Sequence, residues 1–140
     1  TLFRSILSDA TLRKQLFTYA LNVTGAYNVA AFNLMLNSAM VDRWGNTDYS
    51  EECSKMGLSS KTLGLLQMPA PCPDRALYLL TYMVLNGDCA KDFKSKGAIE
   101  VLNNFAEEHK NDTTLVTGTN DTIVKRVAEI VESIEDLSGN

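Results

Sequence analysis

The chain has 140 residues, of which 45% are apolar and 21% charged, and its formal net charge is -4. This length suits one ordinary domain with its own core, and the composition excludes an intrinsically disordered chain. The acidic balance and the scattered lysines and arginines argue against a nucleic-acid binder, because contacts to phosphates need clustered positive charge.

The apolar residues form no run approaching the roughly 18 residues that cross a bilayer. The first residues, Thr1-Leu2-Phe3-Arg4, also lack the pattern of a signal peptide. We therefore expect no membrane partner and a cytoplasmic location. Because the chain begins with Thr and not with Met, we further expect a piece or processed product of a longer protein.

Apolar residues recur at three- and four-residue spacing along almost the whole chain, which predicts amphipathic helices. After a short first segment, Thr11 can cap a helix that ends near Gly25. The next helix runs from Ala26 to the stop at Trp44-Gly45-Asn46. The apolar residues predicted to pack in the core from the helix that begins at Thr11 are Leu12, Leu16, Tyr19, Ala20 and Val23.

In the middle of the chain, Asp48 can cap a short helix that turns at Gly57, and a further helix follows through Leu63 and Leu66. The three prolines between 69 and 73 predict a tight connector, since proline lacks an amide donor. The helix after them stops at Asn86-Gly87, and its predicted core residues are Ala76, Leu77, Leu80, Met83 and Val84.

The last part of the chain begins with a short helix over 88–93 and a turn at Lys96-Gly97. A longer helix and a polar loop over 111–120 follow, and we expect this loop to be the most mobile internal segment. Asp121 can then cap a last helix. The predicted core residues of these two longer helices are Ile99, Leu102, Phe105, Ala106, Ile123, Val127, Ile130, Val131 and Ile134. No stretch alternates with a period of two, so the predicted class is all-α.

Two segments about forty residues apart share one plan, which is typical of helical repeats. Ser54-Lys55-Met56-Gly57-Leu58 corresponds to Ser95-Lys96-Gly97-Ala98-Ile99, and each glycine follows a short helix and precedes a longer one. This plan resembles the armadillo repeat, in which residues 75–84 look like a third helix and residues 96–102 like the glycine turn of the next unit. The resemblance implies a right-handed α-solenoid within a single domain, 1–140. Two units would occupy 47–137, preceded by a less regular helical unit at 1–46.

The armadillo resemblance also implies a binding surface, because third helices of that family line a groove for a partner protein or extended peptide. An asparagine near the middle of each third helix often binds the peptide backbone. Asn22 matches that position, but Tyr82 and Ser133 occupy it in the next two units, so the asparagine ladder is incomplete. We call the carried-over positions the third-helix face; they are Thr18, Asn22, Arg75, Tyr78, Tyr82, Glu129 and Ser133. Further repeats of the same parent chain could also stack end to end on this chain.

No residue pattern indicates catalysis. His109, the only histidine, falls at a predicted helix end, and the adjacent acidic pairs at 51–52 and 107–108 diverge on a helix surface. The glycines occur singly and form no phosphate loop. We therefore predict a protein-binding scaffold that is not an enzyme and needs no metal or cofactor.

Cysteines and glycosylation patterns leave an alternative open. Cys53, Cys72 and Cys89 are odd in number and have no framework spacing, so we expect reduced thiols. Three triplets match the N-glycosylation pattern, at Asn22, Asn111 and Asn120. If they are used, the alternative is a secreted, compact helical bundle with a regulatory role or a role in carrying a small apolar ligand.

Overall fold

The computed structural model describes residues 9–22, 52, 55–66, 77–78, 80–81, 83–85, 87–116 and 119–138. The predicted helix from Ala26 to Trp44, the proline connector, Arg75 and Tyr82 lie outside these residues. Within the described ranges, no helix combines the length and apolar character of a membrane span.

The described residues are mostly helical, which confirms the all-α prediction. The helices are α1 (Ala10–Asn22), α2 (Leu58–Leu65), α3 (Gly87–Ser95), α4 (Ala98–Glu108) and α5 (Ile123–Ser138). Residues 77, 78, 80, 81 and 83 are helical as well. In this part of the chain, extended structure is limited to one antiparallel bridge between Leu115 and Thr122. α5 packs against α3 and α4, and α2 packs against α3.

Gly57 and Gly97, the two glycines that anchor the predicted repeat, adopt the same unusual backbone conformation. Their φ and ψ angles are 93° and 12° for Gly57 and 78° and 24° for Gly97, both in the left-handed region. A side chain is strained there, which explains why glycine stands at each position. Each glycine immediately precedes a helix, α2 or α4, so the predicted turns are confirmed.

The backbone hydrogen bonds around the two glycines also match at a separation of forty residues. Before the turns, the Met56 N–H donates to the Glu52 carbonyl at 3.1 Å and the Lys96 N–H to the Asp92 carbonyl at 3.1 Å. After the turns, the Lys61 N–H donates to the Gly57 carbonyl at 3.3 Å and the Val101 N–H to the Gly97 carbonyl at 3.2 Å. Both turns therefore end one helix and start the next in the same way.

The C-terminal helices bury the apolar faces that their periodicity predicts. α5 contributes every third or fourth residue to the core, and α3 and α4 contribute residues that pack against it. The buried residues of these three helices are Cys89, Ala90, Phe93, Ala98, Leu102, Phe105, Ile123, Val127, Ile130 and Ile134.

For α1 the predicted core face is wrong at Leu12 and Tyr19, whereas Leu16 packs against the core as predicted. Leu12 is 44% exposed and Tyr19 62% exposed, whereas Phe17 is fully buried. Arg13 shares the face of Phe17, one turn earlier, and its Nε donates to Glu52 Oε2 at 2.7 Å. The cap also differs from the prediction, because the Asp9 carboxylate accepts the N–H groups of Thr11 and Leu12, at 2.9 and 3.1 Å, in place of a Thr11 cap.

Candidate functional site

The third-helix face is described at α1, at Tyr78 and at α5. Thr18 is exposed on α1 and lines an open depression together with Ala10, Thr11, Lys14 and Gln15. Asn22 is the last residue of α1. Glu129 and Ser133 lie on α5, which packs on α3 and α4. Thr18 and Asn22 lie on α1.

Tyr78 is a half-buried residue that packs against the hydrophobic core. Its neighbours Leu77 and Leu80 are fully buried. Replacing Tyr78 would therefore change the free energy of unfolding as well as any binding, so this tyrosine is a poor probe of a binding surface.

On α5, Glu129 is exposed and Ser133, one turn later, is half-buried. Glu129 Oε2 lies 3.4 Å from an Arg126 guanidinium nitrogen, and the other guanidinium nitrogen lies 2.6 Å from Asp121 Oδ2. The side chains of Arg126 and Asp121 are only 15% and 14% exposed. The Nε of Arg126 is buried and has no hydrogen-bond partner in the described structure. This cluster fixes the start of α5 beside the third-helix face.

Asp121 is not the cap of α5, contrary to prediction. The Thr122 hydroxyl accepts the Lys125 N–H at 3.3 Å, which is the hydrogen bond of an N-cap residue to the third residue of its helix. Asp121 instead pairs with Arg126 and, at 3.1 Å, with the Lys125 ammonium. Asp and Thr are both good N-cap residues and stand side by side here, so residue type alone does not decide between Asp121 and Thr122.

The loop between α4 and α5 has more fixed points than its polar composition suggests. Val116 is buried in the core, and its N–H donates to the Asp121 carbonyl at 2.8 Å. The Thr119 hydroxyl donates to the Val116 carbonyl at 2.8 Å. At the start of the loop, Asp112 Oδ1 accepts the Thr114 N–H at 2.8 Å. Hydrogen bonds therefore fix both ends of the loop, and its predicted mobility stays a prediction.

His109 ends α4, as its place in the sequence predicts. Its ring lies against Phe105 with ring centroids 4.3 Å apart, and its Nδ1 lies 3.4 Å from Asp112 Oδ2. Hydrogen bonds from the Thr114 backbone and hydroxyl, and then from His109, hold the pKa of Asp112 below its ordinary value. These contacts give His109 a structural role at the helix end.

Among the described residues, no group of three or more His, Cys, Asp or Glu side chains is placed to hold a metal ion. Cys89 is a buried thiol in α3, and Cys53 and Cys72 lie outside the described residues. The reduced state of all three cysteines therefore stays a prediction.

Comparison of the chain with protein-family models, with curated proteins and with solved structures finds no match.

Proposed function

We propose that this chain is a protein-protein interaction scaffold built from armadillo-like units, which binds a partner protein or peptide on its third-helix face and catalyses no reaction itself. The observation that carries the proposal is the equivalence of the turns at Gly57 and Gly97 in backbone angles and hydrogen bonds. Stacked helical units of this kind present long continuous surfaces, and such surfaces serve mainly to bind other chains.

The spacing of buried residues in the third helices supports the same proposal. Leu77, Leu80 and Val84 follow the three- and four-residue steps of Val127, Ile130 and Ile134, and all six side chains are buried. A third helix that buries this face against its own unit leaves its outer side for a partner. On α5 that outer side is charged and carries exposed Glu129, Glu132 and Glu135. Such a side suits a polar partner segment that keeps the charges solvated or paired.

The experiment reverses charge and adds bulk on α5, with the double substitution Glu129→Arg and Ser133→Arg. A photo-crosslinking residue at 133 in the otherwise unchanged chain then identifies the proteins that touch this face in a cell extract. We expect the crosslinked proteins to be recovered by the unchanged chain and lost with the double variant.

The matched control for the charge reversal at Glu129 is Glu108→Arg, which makes the same reversal on an exposed residue of α4. It should keep every partner. If the double variant recovers the same proteins in the same amounts, or if nothing crosslinks at 133, the third-helix face is not the binding surface.

The alternative role in carrying an apolar ligand gains no support from the described residues. The depression beside α1 is open to solvent, whereas an apolar ligand would need an enclosed site.

A further inference from the structure

Two adjacent apolar residues in the loop between α4 and α5 face opposite ways. Val116 is 1% exposed and anchors the loop in the core, whereas Leu115 is 51% exposed. Alternation of this kind is expected in extended backbone, where successive side chains point to opposite sides. The loop therefore holds a large apolar side chain in solvent while its neighbour fixes the backbone.

The main-chain groups of Leu115 are also directed outward. Leu115 and Thr122 form an antiparallel bridge, and the hydrogen bond that defines it runs from the Val116 N–H to the Asp121 carbonyl at 2.8 Å. In a pair of this type the bonds are made by the flanking residues, and the N–H and C=O of the paired residues themselves point away from each other. In the described part of the chain, neither group of Leu115 has a hydrogen-bond partner.

The edge at Leu115 is held in place before any partner arrives. Asp112 fixes the approach through the Thr114 N–H, and Thr119 fixes the turn beyond through the Val116 carbonyl. The Asp121 carboxylate is tied to Arg126 at 2.6 Å. A preorganised edge loses little conformational entropy on binding, which favours affinity.

This loop is extra chain relative to the first unit. The buried residues of the two third helices follow the same spacing, but Val127 comes ten residues later after Gly97 than Leu77 does after Gly57. Insertions within a repeat lie in loops on one face of a solenoid, which is often the binding face.

We propose that Leu115 is a docking edge for an extended segment of the partner, which adds to it as a β-strand while the Leu115 side chain enters an apolar pocket. The inference rests on the proposed function and adds a second contact outside the third-helix face. An extended polypeptide is the occupant because its backbone supplies the complementary carbonyl and N–H that the Leu115 edge lacks.

The probe is a phage-displayed library of random linear peptides, selected on the full chain. Two substitutions test separate parts of the edge. Leu115→Asp removes the apolar side chain and keeps the N–H. Leu115→Pro removes the N–H, which has no partner within the described fold, so an outward-facing edge position tolerates proline. Leu85→Asp is the matched control, since Leu85 is an exposed leucine outside the loop.

We expect selected peptides to protect the Leu115 amide from hydrogen exchange and to bind about tenfold more weakly to both Leu115 variants, with a change below about twofold for Leu85→Asp. Thermal unfolding shows whether each variant folds. If Leu115→Pro does not fold, the peptide affinity of Leu115→Asp decides the result.

Equal affinity for the Leu115 variants and the unchanged chain overturns the docking edge. If the same peptides lose affinity with Glu129→Arg and Ser133→Arg, the edge is wrong and the third-helix face stands. If the selection yields no binding peptide, the docking edge is contradicted, and crosslinking at 133 decides the third-helix face separately.

Discussion

The C-terminal helices α3 to α5 and the N-terminal helix α1 have similar shares of apolar residues but bury them differently. In α5 the residues at three- and four-residue steps from Ile123 to Ile134 are buried, whereas α1 buries Phe17 and leaves Leu12 and Tyr19 exposed. Spacing identifies the buried face of α5, whose apolar residues lie on one side of the helix. In α1 it misses Phe17, because Leu16, Phe17 and Tyr19 lie on different sides of one turn.

Substitution of aromatic residues by alanine in α3 and α1 is expected to change the free energy of unfolding most. Phe93→Ala, in α3, and Phe17→Ala should each lower the free energy of unfolding by about 3 to 5 kcal/mol, because both rings are fully buried. Tyr19→Ala should change it by no more than about 0.5 kcal/mol. Urea denaturation measures all three. A large loss for Tyr19→Ala together with a small one for Phe17→Ala would restore the face predicted from spacing.

Ion pairs offer a second comparison of the same two regions. Asp121→Asn removes a carboxylate that is 14% exposed and leaves the shielded Arg126 without its closest partner, so we expect a loss of about 1.5 to 3 kcal/mol. Glu52→Gln, which breaks the pair with Arg13, should cost about 1 kcal/mol or less, since its carboxylate is 34% exposed. Chemical denaturation of both variants measures which substitution lowers the free energy of unfolding more. Equal losses would show that the cluster at the start of α5 is no more tightly built than the contact of α1.

Replacing glycine by alanine should change the free energy of unfolding in opposite directions inside and outside the two glycine turns. Gly97→Ala and Gly57→Ala should each destabilise the protein by about 1 to 2 kcal/mol, because alanine is strained at a positive φ. Gly64→Ala is the control: Gly64 lies inside α2 with open space where the added methyl group would lie, so the same change should stabilise by up to about 1 kcal/mol. Thermal melts can measure these shifts. A neutral result at Gly57 but not at Gly97 would mean that only the C-terminal turn depends on its glycine.

The smallest effect concerns pH and is confined to the C-terminal loop. Hydrogen bonds from Thr114 and His109 lower the pKa of Asp112, so the ionised carboxylate stabilises the loop above its ordinary pKa of 3.8. That stabilisation is lost as the pH falls through the lowered value. An NMR titration of the Asp112 carboxyl carbon should give a midpoint below 3.8, and the Thr114 amide should exchange faster in Asp112→Asn. A midpoint at or above 3.8 would contradict the hydrogen bonds at the start of the loop.

Much of the fold could be predicted from the sequence, and the reasons are local. A glycine between two helical patterns predicts a left-handed turn, as at Gly57 and Gly97, and the steps from Ile123 to Ile134 predict one buried face. The choice of cap could not be predicted where two candidates are adjacent. Asp121 and Thr122 both suit a cap, and the contact with Arg126, which engages Asp121, is a matter of three-dimensional placement.

The candidate site was harder to predict than the fold. Exposure of Glu129 follows from the pattern of α5, but the pattern did not decide that Tyr78 packs on the core. Leu115 could not be found from the sequence, because a lone leucine in a polar loop carries no signal by itself. Only the burial of Val116 and the bridge to Thr122 show that the side chain and main-chain groups of Leu115 face solvent.

The central proposal is that the Gly57 and Gly97 turns lie within equivalent, stacked units. The most direct test is a crystal structure of the full chain, in which the first unit is superposed on the second with Gly57 on Gly97 and Leu77 on Val127. We predict that the helices coincide in order and direction and that one right-handed rotation relates the two units. Third helices that point in different directions, or a left-handed relation between the units, would contradict the account.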